Sequence, residues 1–282
     1  MFQVKAVLKK FVFQKNNKNL DFKKIAFPFL SKIPTNFTSN EKQCSDIINS
    51  PKTNNKNIIT VHCIRHAEST MNALRNHNIK TLNIHELLSG KDPGIFDAPL
   101  SKNGIENANH FGNKGGPIYK GKPIMERASM ILTSNLRRAM ETSNLISKRS
   151  SDNCKICVLD FVREKALYVS DVPSLSRQEI IKNYPKADVS FLPDTNFKDF
   201  IVLPENYDQV DQRIQQFINF IKNYEGLEND EIVLVSHYYF LKRLLKGSVF
   251  WQLPNLGVVT IHIDKSTGKI VGNNITRYTD NC

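Results

Sequence analysis

Ile58-Ile59-Thr60-Val61-His62-Cys63-Ile64-Arg65-His66-Ala67-Glu68-Ser69 is the stretch from which the rest of the chain can be read. Its first seven residues are mostly β-branched or apolar and show no alternation that would wet one face. They predict a central strand of a sheet covered on both sides. The polar residues arrive together at its carboxyl end, and Ser69-Thr70-Met71-Asn72-Ala73-Leu74 reads as the start of a helix. In open α/β sheets ligands bind outside the carboxyl ends of strands, and a helix amino terminus favours anions. An Arg and a His at that point suggest a phosphate site with a nucleophile in it.

The pattern of a strand ending in polar residues recurs downstream. After an irregular stretch over roughly 75–99, Asp97-Ala98-Pro99-Leu100-Ser101-Lys102-Asn103-Gly104 leads into a helix from Ile105 to about Phe111, with Pro99 as breaker and Ser101 as cap. Ser129 to Thr133 reads as a strand, followed by Ser134-Asn135-Leu136-Arg137-Arg138-Ala139-Met140-Glu141-Thr142. Adjacent arginines point to different faces of a helix, so one of the two is expected to enter a site and the other to stay solvated. Cys157 to Phe161 is another strand, ending in Val162-Arg163-Glu164-Lys165.

Residues 166–206 carry Pro173, Pro185, Pro193 and Pro204 and a short helical pattern near Ser176–Asn183. They read as an insertion beyond the strand end, where a substrate lid would sit. Asp208 to Tyr224 places Val210, Ile214, Phe217, Ile218 and Ile221 on one helix face. Glu231 to Ser236 is a buried strand with His237 at its end, and a helix from Phe240 to Lys246 follows. Val258 to Ile263 is a last strand, closed by a hairpin turn at Asp264–Lys269.

Arg65-His66-Ala67-Glu68 resembles the Arg-His-Gly/Ala-Glu signature of the histidine phosphatase superfamily, the phosphoglycerate-mutase-like proteins. Three more segments resemble that family in its order. They are D-x-P-L-[ST]-x-x-G at 97–104, S-x-L-x-R-A-x-x-T at 134–142, and a strand ending in Ser236-His237. The resemblance covers about residues 58–263. It implies an α/β fold, a three-layer α/β/α sandwich with a mainly parallel central sheet and an insertion lid.

The resemblance also assigns roles. His66 is the nucleophile and Glu164 the general acid, while Arg65, Arg138 and His237 hold the phosphoryl group and Asn72 makes a further phosphate contact. A neutral imidazole among cations suits attack on a phosphomonoester dianion, and the planar fork of Arg binds two oxygens at once. His237 would need its protonated form to serve as a cation, which an adjacent phosphate should favour, and Arg163 or Lys165 would hold Glu164 ionised or touch substrate. Glu68 is expected to pair with His66 or a backbone amide and orient the ring. Ser69, Lys165 and Arg177 are further candidate substrate contacts. Tyr238 departs from the family, which usually has Gly after this His, so its ring is expected to narrow the pocket or shift a backbone donor.

No metal and no cofactor is required by this chemistry. Phosphatase is favoured over mutase, because mutases proper carry F-x-G-W-x-D and E-R-x-Y-G runs, whereas Glu164 here is followed by Lys165-Ala166-Leu167-Tyr168. The alternatives are a mutase-type phosphotransferase and a catalytically silent module that binds a phosphorylated ligand. The partner implied is a phosphorylated substrate, either a small metabolite or a phosphoprotein.

The formal charge of +12 is unevenly placed. Residues 1–57 hold eleven Lys, no Arg and only Asp21, Glu41 and Asp46, a net +8, and read as a basic, largely disordered extension ahead of a catalytic domain at 58–282. No nucleic-acid signature accompanies the charge, and the aromatics are not interleaved with the lysines, so nucleic acid is not an expected partner. No apolar run approaches the roughly 20 residues that span a bilayer, so no membrane is expected. The five scattered cysteines fit a reducing compartment, so a cytoplasmic location is expected, with a mitochondrial one through the extension as the alternative. Cys154 and Cys157 form a lone C-x-x-C without a nearby His, which reads as structural.

Overall fold

The opening run forms strand β1 (Ile58–Arg65), buried at every position but its first and last in a computed structural model of the chain. The structure describes residues 57–81, 92–193, 203–225, 231–246 and 253–274. They belong to one unit, Asn54–Cys282, and of the basic extension only Asn57 is among them.

Helix α1 (Thr70–Lys80) follows, its cap Ser69 accepting from the Asn72 N–H. It runs further than the sequence suggests, taking up the beginning of the stretch expected to be irregular. Helix α2 (Lys102–Lys114) is capped by Ser101. Gly104 in its first turn is required by close approach, because a Cβ there would sit 2.0 Å from the Glu68 carbonyl oxygen. The hairpin β2 (Ile118–Tyr119) and β3 (Lys122–Pro123) leads to the short helix α3 (Ile124–Arg127). Then come β4 (Met130–Ser134), α4 (Arg137–Ile146) and β5 (Lys155–Leu159). They are followed by α5 (Arg177–Asn183), β6 (Ala187–Asp188) and α6 (Tyr207–Asn223). Strand β7 (Glu231–Ser236), α7 (Tyr238–Leu244) and the pair β8 (Val258–Asp264) and β9 (Ile270–Asn274) complete the order.

Seven strands form one sheet in the order β6-β5-β4-β7-β1-β8-β9. β6 to β1 along that order are parallel neighbours, whereas β8 is antiparallel to both β1 and β9. Because side chains alternate across a strand, each central strand feeds two cores. Ile59, Val61 and Cys63 of β1 join Ile232 and Leu234 of β7 on one face, under Phe217 of α6 and Phe240 of α7. Val233, Val235 and Ile131 face the other way, onto Phe111 of α2 and Ala139 and Ile146 of α4. Full burial of a Phe contributes about 1.5–3 kcal/mol, so helices on both faces are held by comparable anchors. The result is the expected three-layer α/β/α sandwich.

The insertion is only partly a wall over the strand ends. A 3-10 turn at Val169–Asp171 lies there, but α5 and β6 return to the sheet. Ile180, Val189 and Leu192 pack on Met140 and Val158, and β6 pairs with the otherwise open edge of β5. Apolar residues at those positions and an unpaired strand edge together outweigh the turn chemistry of the prolines. Residues 194–202 of the expected lid lie outside the described residues.

Candidate active site

Register brings the reactive groups together. Arg65 at the end of β1 is level with Ser236 at the end of β7, so the residues that follow, His66 and His237, leave the sheet side by side. Their ring centroids are 4.9 Å apart. β4, on the other side of β7, ends at Ser134 and delivers Arg138 in the first turn of α4. β5 is level with β4, Leu159 opposite Ser134, and the chain after it carries Glu164. Four neighbouring strand ends thus supply five side chains.

His66 is 3% exposed. Its backbone N–H donates to the Ser236 carbonyl at 2.9 Å, and its own carbonyl accepts from Asn255 Nδ2 at 2.8 Å. Nδ1 lies 2.7 Å from the Ala67 carbonyl, which can only accept, so the ring proton is assigned to Nδ1. Burial first, then the Arg138 and Arg65 charges, hold the imidazole pKa well below its usual value. The ring is therefore neutral with its lone pair on Nε2, the form a nucleophile needs. Glu68 does not orient this ring. Its carboxylate accepts from Ser101 Oγ at 2.7 Å and from the amides of Asn76 and Asn103, and the Ala67 carbonyl takes the expected role.

Arg138 is 4% exposed and reaches three partners: Nε donates to His66 Nε2 at 3.3 Å, Nη1 to the Ser170 carbonyl at 2.7 Å, and Nη2 to Asp171 Oδ1 at 2.9 Å. Asp171 also accepts from the N–H groups of Leu167 and Tyr168 through Oδ2. Arg137 points outward and pairs with Glu141 at 3.1 Å, as a helix-surface Arg should. Arg65 donates to the Leu253 carbonyl at 2.8 Å, and its guanidinium lies 5.5 Å from the Tyr238 ring centroid.

His237 is fully buried, and neither ring nitrogen has a hydrogen-bond partner among the described residues. Burial first, then the Arg138 charge, keep its pKa well below the usual value. Without a phosphoryl group beside it, His237 is therefore a neutral ring whose single N–H can be given to an oxygen.

Glu164 is 8% exposed, and burial together with the nearby Asp171 carboxylate raises its pKa to about 7, against the pull of Arg138 and Arg65. Oε1 accepts from the N–H groups of Lys165 at 2.9 Å and Tyr239 at 3.0 Å. The side chains of its sequence neighbours do not hold it ionised. Arg163 pairs with Glu205 at 3.1 Å, and the Lys165 ammonium lies 4.2 Å from the Tyr207 ring centroid. The loop is fixed from below by Arg213, which bonds Glu205 at 2.7 Å and donates to the carbonyls of Phe161 and Arg163.

A cleft of about 150 Å³ is lined by Arg65, His66, Ser69, Asn72, Arg138, Glu164, Lys165 and Tyr238 among others, whereas the fully buried His237 is not part of the lining. Ser69 and Asn72 cap each other, and Asn255 also reaches Asn72 Oδ1 at 3.3 Å. Arg177 is not part of the lining: it opens α5 and points Nη1 at the Leu192 carbonyl. Asp97 serves structure, bonding the Arg137 N–H and both donors of Ser174. Cys154 and Cys157 are buried thiols, and burial pushes Cys157 up to about 12. Sequence reasoning missed Arg75, Tyr239 and Asp171 in the lining, and Arg213 beneath it. Only Arg213 left a signal, as a charge on the apolar stripe of α6. Among the described residues no cluster of three or more His, Cys, Asp or Glu could hold a metal ion.

The family model described as "Histidine phosphatase superfamily (branch 1)" matches residues 61–276. No curated protein matches the chain. Among solved structures, the ecdysone phosphate phosphatase from Bombix mori in complex with tungstate is similar over 79% of this chain and 96% of its own, at 13% identity and a TM-score of 0.50. A putative alpha-ribazole-5'-P phosphatase from Escherichia coli matches over 78% and 96%, at 16% identity and a TM-score of 0.47. A phosphoglycerate mutase from Bacillus anthracis matches over 79% and 93%, at 15% identity and a TM-score of 0.46.

Proposed function

We propose that this chain, which belongs to the histidine phosphatase superfamily, hydrolyses phosphate monoesters through a phosphohistidine on His66, with Glu164 as general acid and then general base. The observation that carries the reading is the pairing, in one cleft, of a neutral imidazole with its lone pair on Nε2 and a carboxyl group held near pH 7. A catalytic acid works best with a pKa near the operating pH.

In the first step His66 Nε2 bonds to phosphorus as the ester P–O bond breaks, and the leaving oxygen takes the Glu164 proton. In the second, Glu164 takes a proton from water, the water oxygen bonds to phosphorus, and the P–N bond breaks to return neutral His66 and phosphate. Arg138 must turn its Nε–H from His66 to a phosphoryl oxygen as substrate enters. Three of its five N–H donors have protein partners, which leaves two for the same task. Arg65, the N–H of His237 and Asn72 complete the cradle, and Ser69 and Tyr238 form its sides. The cations supply the charge stabilisation, so the reaction is proposed to run without a metal ion. Hydrolysis is preferred to mutase chemistry because the two mutase runs are missing around Arg65 and Glu164.

The test is phosphate release from phenyl phosphate by the full chain in excess chelator, beside the His66→Ala variant. Chelator-resistant turnover that disappears in the variant, with an acid-labile, alkali-stable phosphoenzyme trapped in the parent, supports the route. Turnover that survives in His66→Ala ends it.

A further inference from the structure

Two cations in the cleft have no part in the reaction above. Arg75 lies one turn beyond Asn72 on α1, so the two share a helix face. Its guanidinium is 5.1 Å from the Tyr168 ring centroid, as the Lys165 ammonium is 4.2 Å from that of Tyr207. A tyrosine face steadies a cation without neutralising it. Neither side chain has a carboxylate partner among the described residues, yet both line the cleft.

The charge in the cleft does not close on a simple phosphate ester. With Glu164 protonated, the form the first step needs, the lining carries Arg65, Arg75, Arg138 and Lys165 against the single carboxylate of Asp171. In the ligand-free cleft His66 and His237 add nothing, since burial disfavours the charged form of both. A phosphomonoester dianion leaves one positive charge over. Arg75 is also near enough to Arg65 that its charge, after burial and Arg138, helps lower the Arg65 pKa.

We propose that Arg75, with Lys165 on the lining of the same cleft, forms a second anion site, and that the preferred substrates are phosphate monoesters whose leaving group carries a further negative group, a carboxylate or a second phosphate. This rests on the phosphatase reading. Arg75 lies three residues along α1 from Asn72, about 4.5 Å of helix rise, so the second anion belongs one turn outward from the phosphoryl group.

The experiment compares kcat/KM for phenyl phosphate and 4-carboxyphenyl phosphate in the full chain, Arg75→Gln and Arg75→Lys at low salt. The expected result is a preference of about tenfold for the carboxylated ester, falling to within about twofold of unity in Arg75→Gln and partly restored in Arg75→Lys. A wild-type preference below about twofold, or one unchanged in Arg75→Gln, overturns the second site, because a surface Arg of no specific use gives that pattern. Failure of the phosphatase reading shows separately, as absence of turnover of both esters. Calorimetric binding of the same two esters to the same variants then decides the site, a carboxylate preference lost in Arg75→Gln supporting it and no preference overturning it.

Discussion

Arg138 donates its Nε–H to Nε2 of His66 across 3.3 Å, and Asp171 holds the other end of the same guanidinium at 2.9 Å. The lone pair proposed to attack phosphorus is therefore covered by the residue proposed to receive the phosphoryl oxygens. Asp171 touches both halves of the chemistry, since its charge also helps keep the Glu164 proton in place.

Replacing Asp171 by Asn should loosen Arg138 and remove a negative neighbour of Glu164. The alkaline limb of kcat/KM, set by loss of the Glu164 proton, is expected to move to lower pH, because a carboxyl group without an anionic neighbour ionises more readily. The rate at the optimum should fall about 10–100-fold, the scale seen when a supporting partner is lost. A pH–rate profile checks both. An alkaline limb that stays in place would show that Asp171 does not act on Glu164.

Glu164→Gln should separate the two steps. With phenyl phosphate the loss is expected to be about 10²–10⁴-fold, the usual contribution of a positioned acid. With p-nitrophenyl phosphate, whose leaving oxygen needs no proton, the first step should survive while water activation fails. Stopped-flow absorbance should then show a burst of nitrophenolate equal to the enzyme present, followed by a slow steady state. Equal losses with both esters, and no burst, would remove Glu164 from the acid role.

Much of the candidate site was legible in the sequence because the residues proposed as catalytic sit directly after strands whose apolar runs are unmistakable. His66 follows Ile58–Arg65 and His237 follows Glu231–Ser236, and parallel register does the rest. What stayed hidden came from contacts distant in sequence. Asp171 lies in a stretch read as an insertion carrying a substrate lid, and its importance depends on Arg138 being 33 residues away along the chain yet bonded to it. Glu68 was misjudged because sequence proximity to His66 says nothing of direction, and its carboxylate points to Ser101. The complete burial of His237 was hidden for another reason: it depends on layers on both faces of the sheet, which no local pattern records.

Arg213 should matter to stability more than any exposed Arg. It is 7% exposed, pairs with the 4% exposed Glu205, and donates to backbone carbonyls of the loop that carries Glu164. Removing one member of a buried pair costs about 3–5 kcal/mol where the other charge is left alone. Glu205 keeps Arg163 at 3.1 Å, so the cost here is expected to be a part of that, to which the lost bonds to the Phe161 and Arg163 carbonyls add. Arg213→Ala is therefore expected to lower the urea midpoint strongly, whereas Arg243→Ala, which breaks an exposed pair with Asp211, should leave it almost unchanged. Similar midpoints for the two variants would contradict the role given to Arg213.

Glu164 also makes the fold less stable than it need be, and the sign of that effect is fixed by its pKa. In the folded chain the group titrates at about 7, against an ordinary value of 4.5. The native state therefore binds the proton more tightly than the unfolded state does, and stability falls as pH rises from about 4.5 to about 7. The full penalty, at pH above 7, is about 3 kcal/mol for one such group. Glu164→Gln keeps an oxygen to accept from the Lys165 and Tyr239 N–H groups but carries no charge to bury. The variant is expected to match the parent near pH 4 and to exceed it by up to about 3 kcal/mol at pH 8, measured by urea unfolding at both values. The same substitution that removes the proposed catalytic acid should thus stabilise the protein, and only on the alkaline side. A variant less stable than the parent at pH 8 would mean that Glu164 is ionised and satisfied in the fold, and the acid role would lose its physical basis.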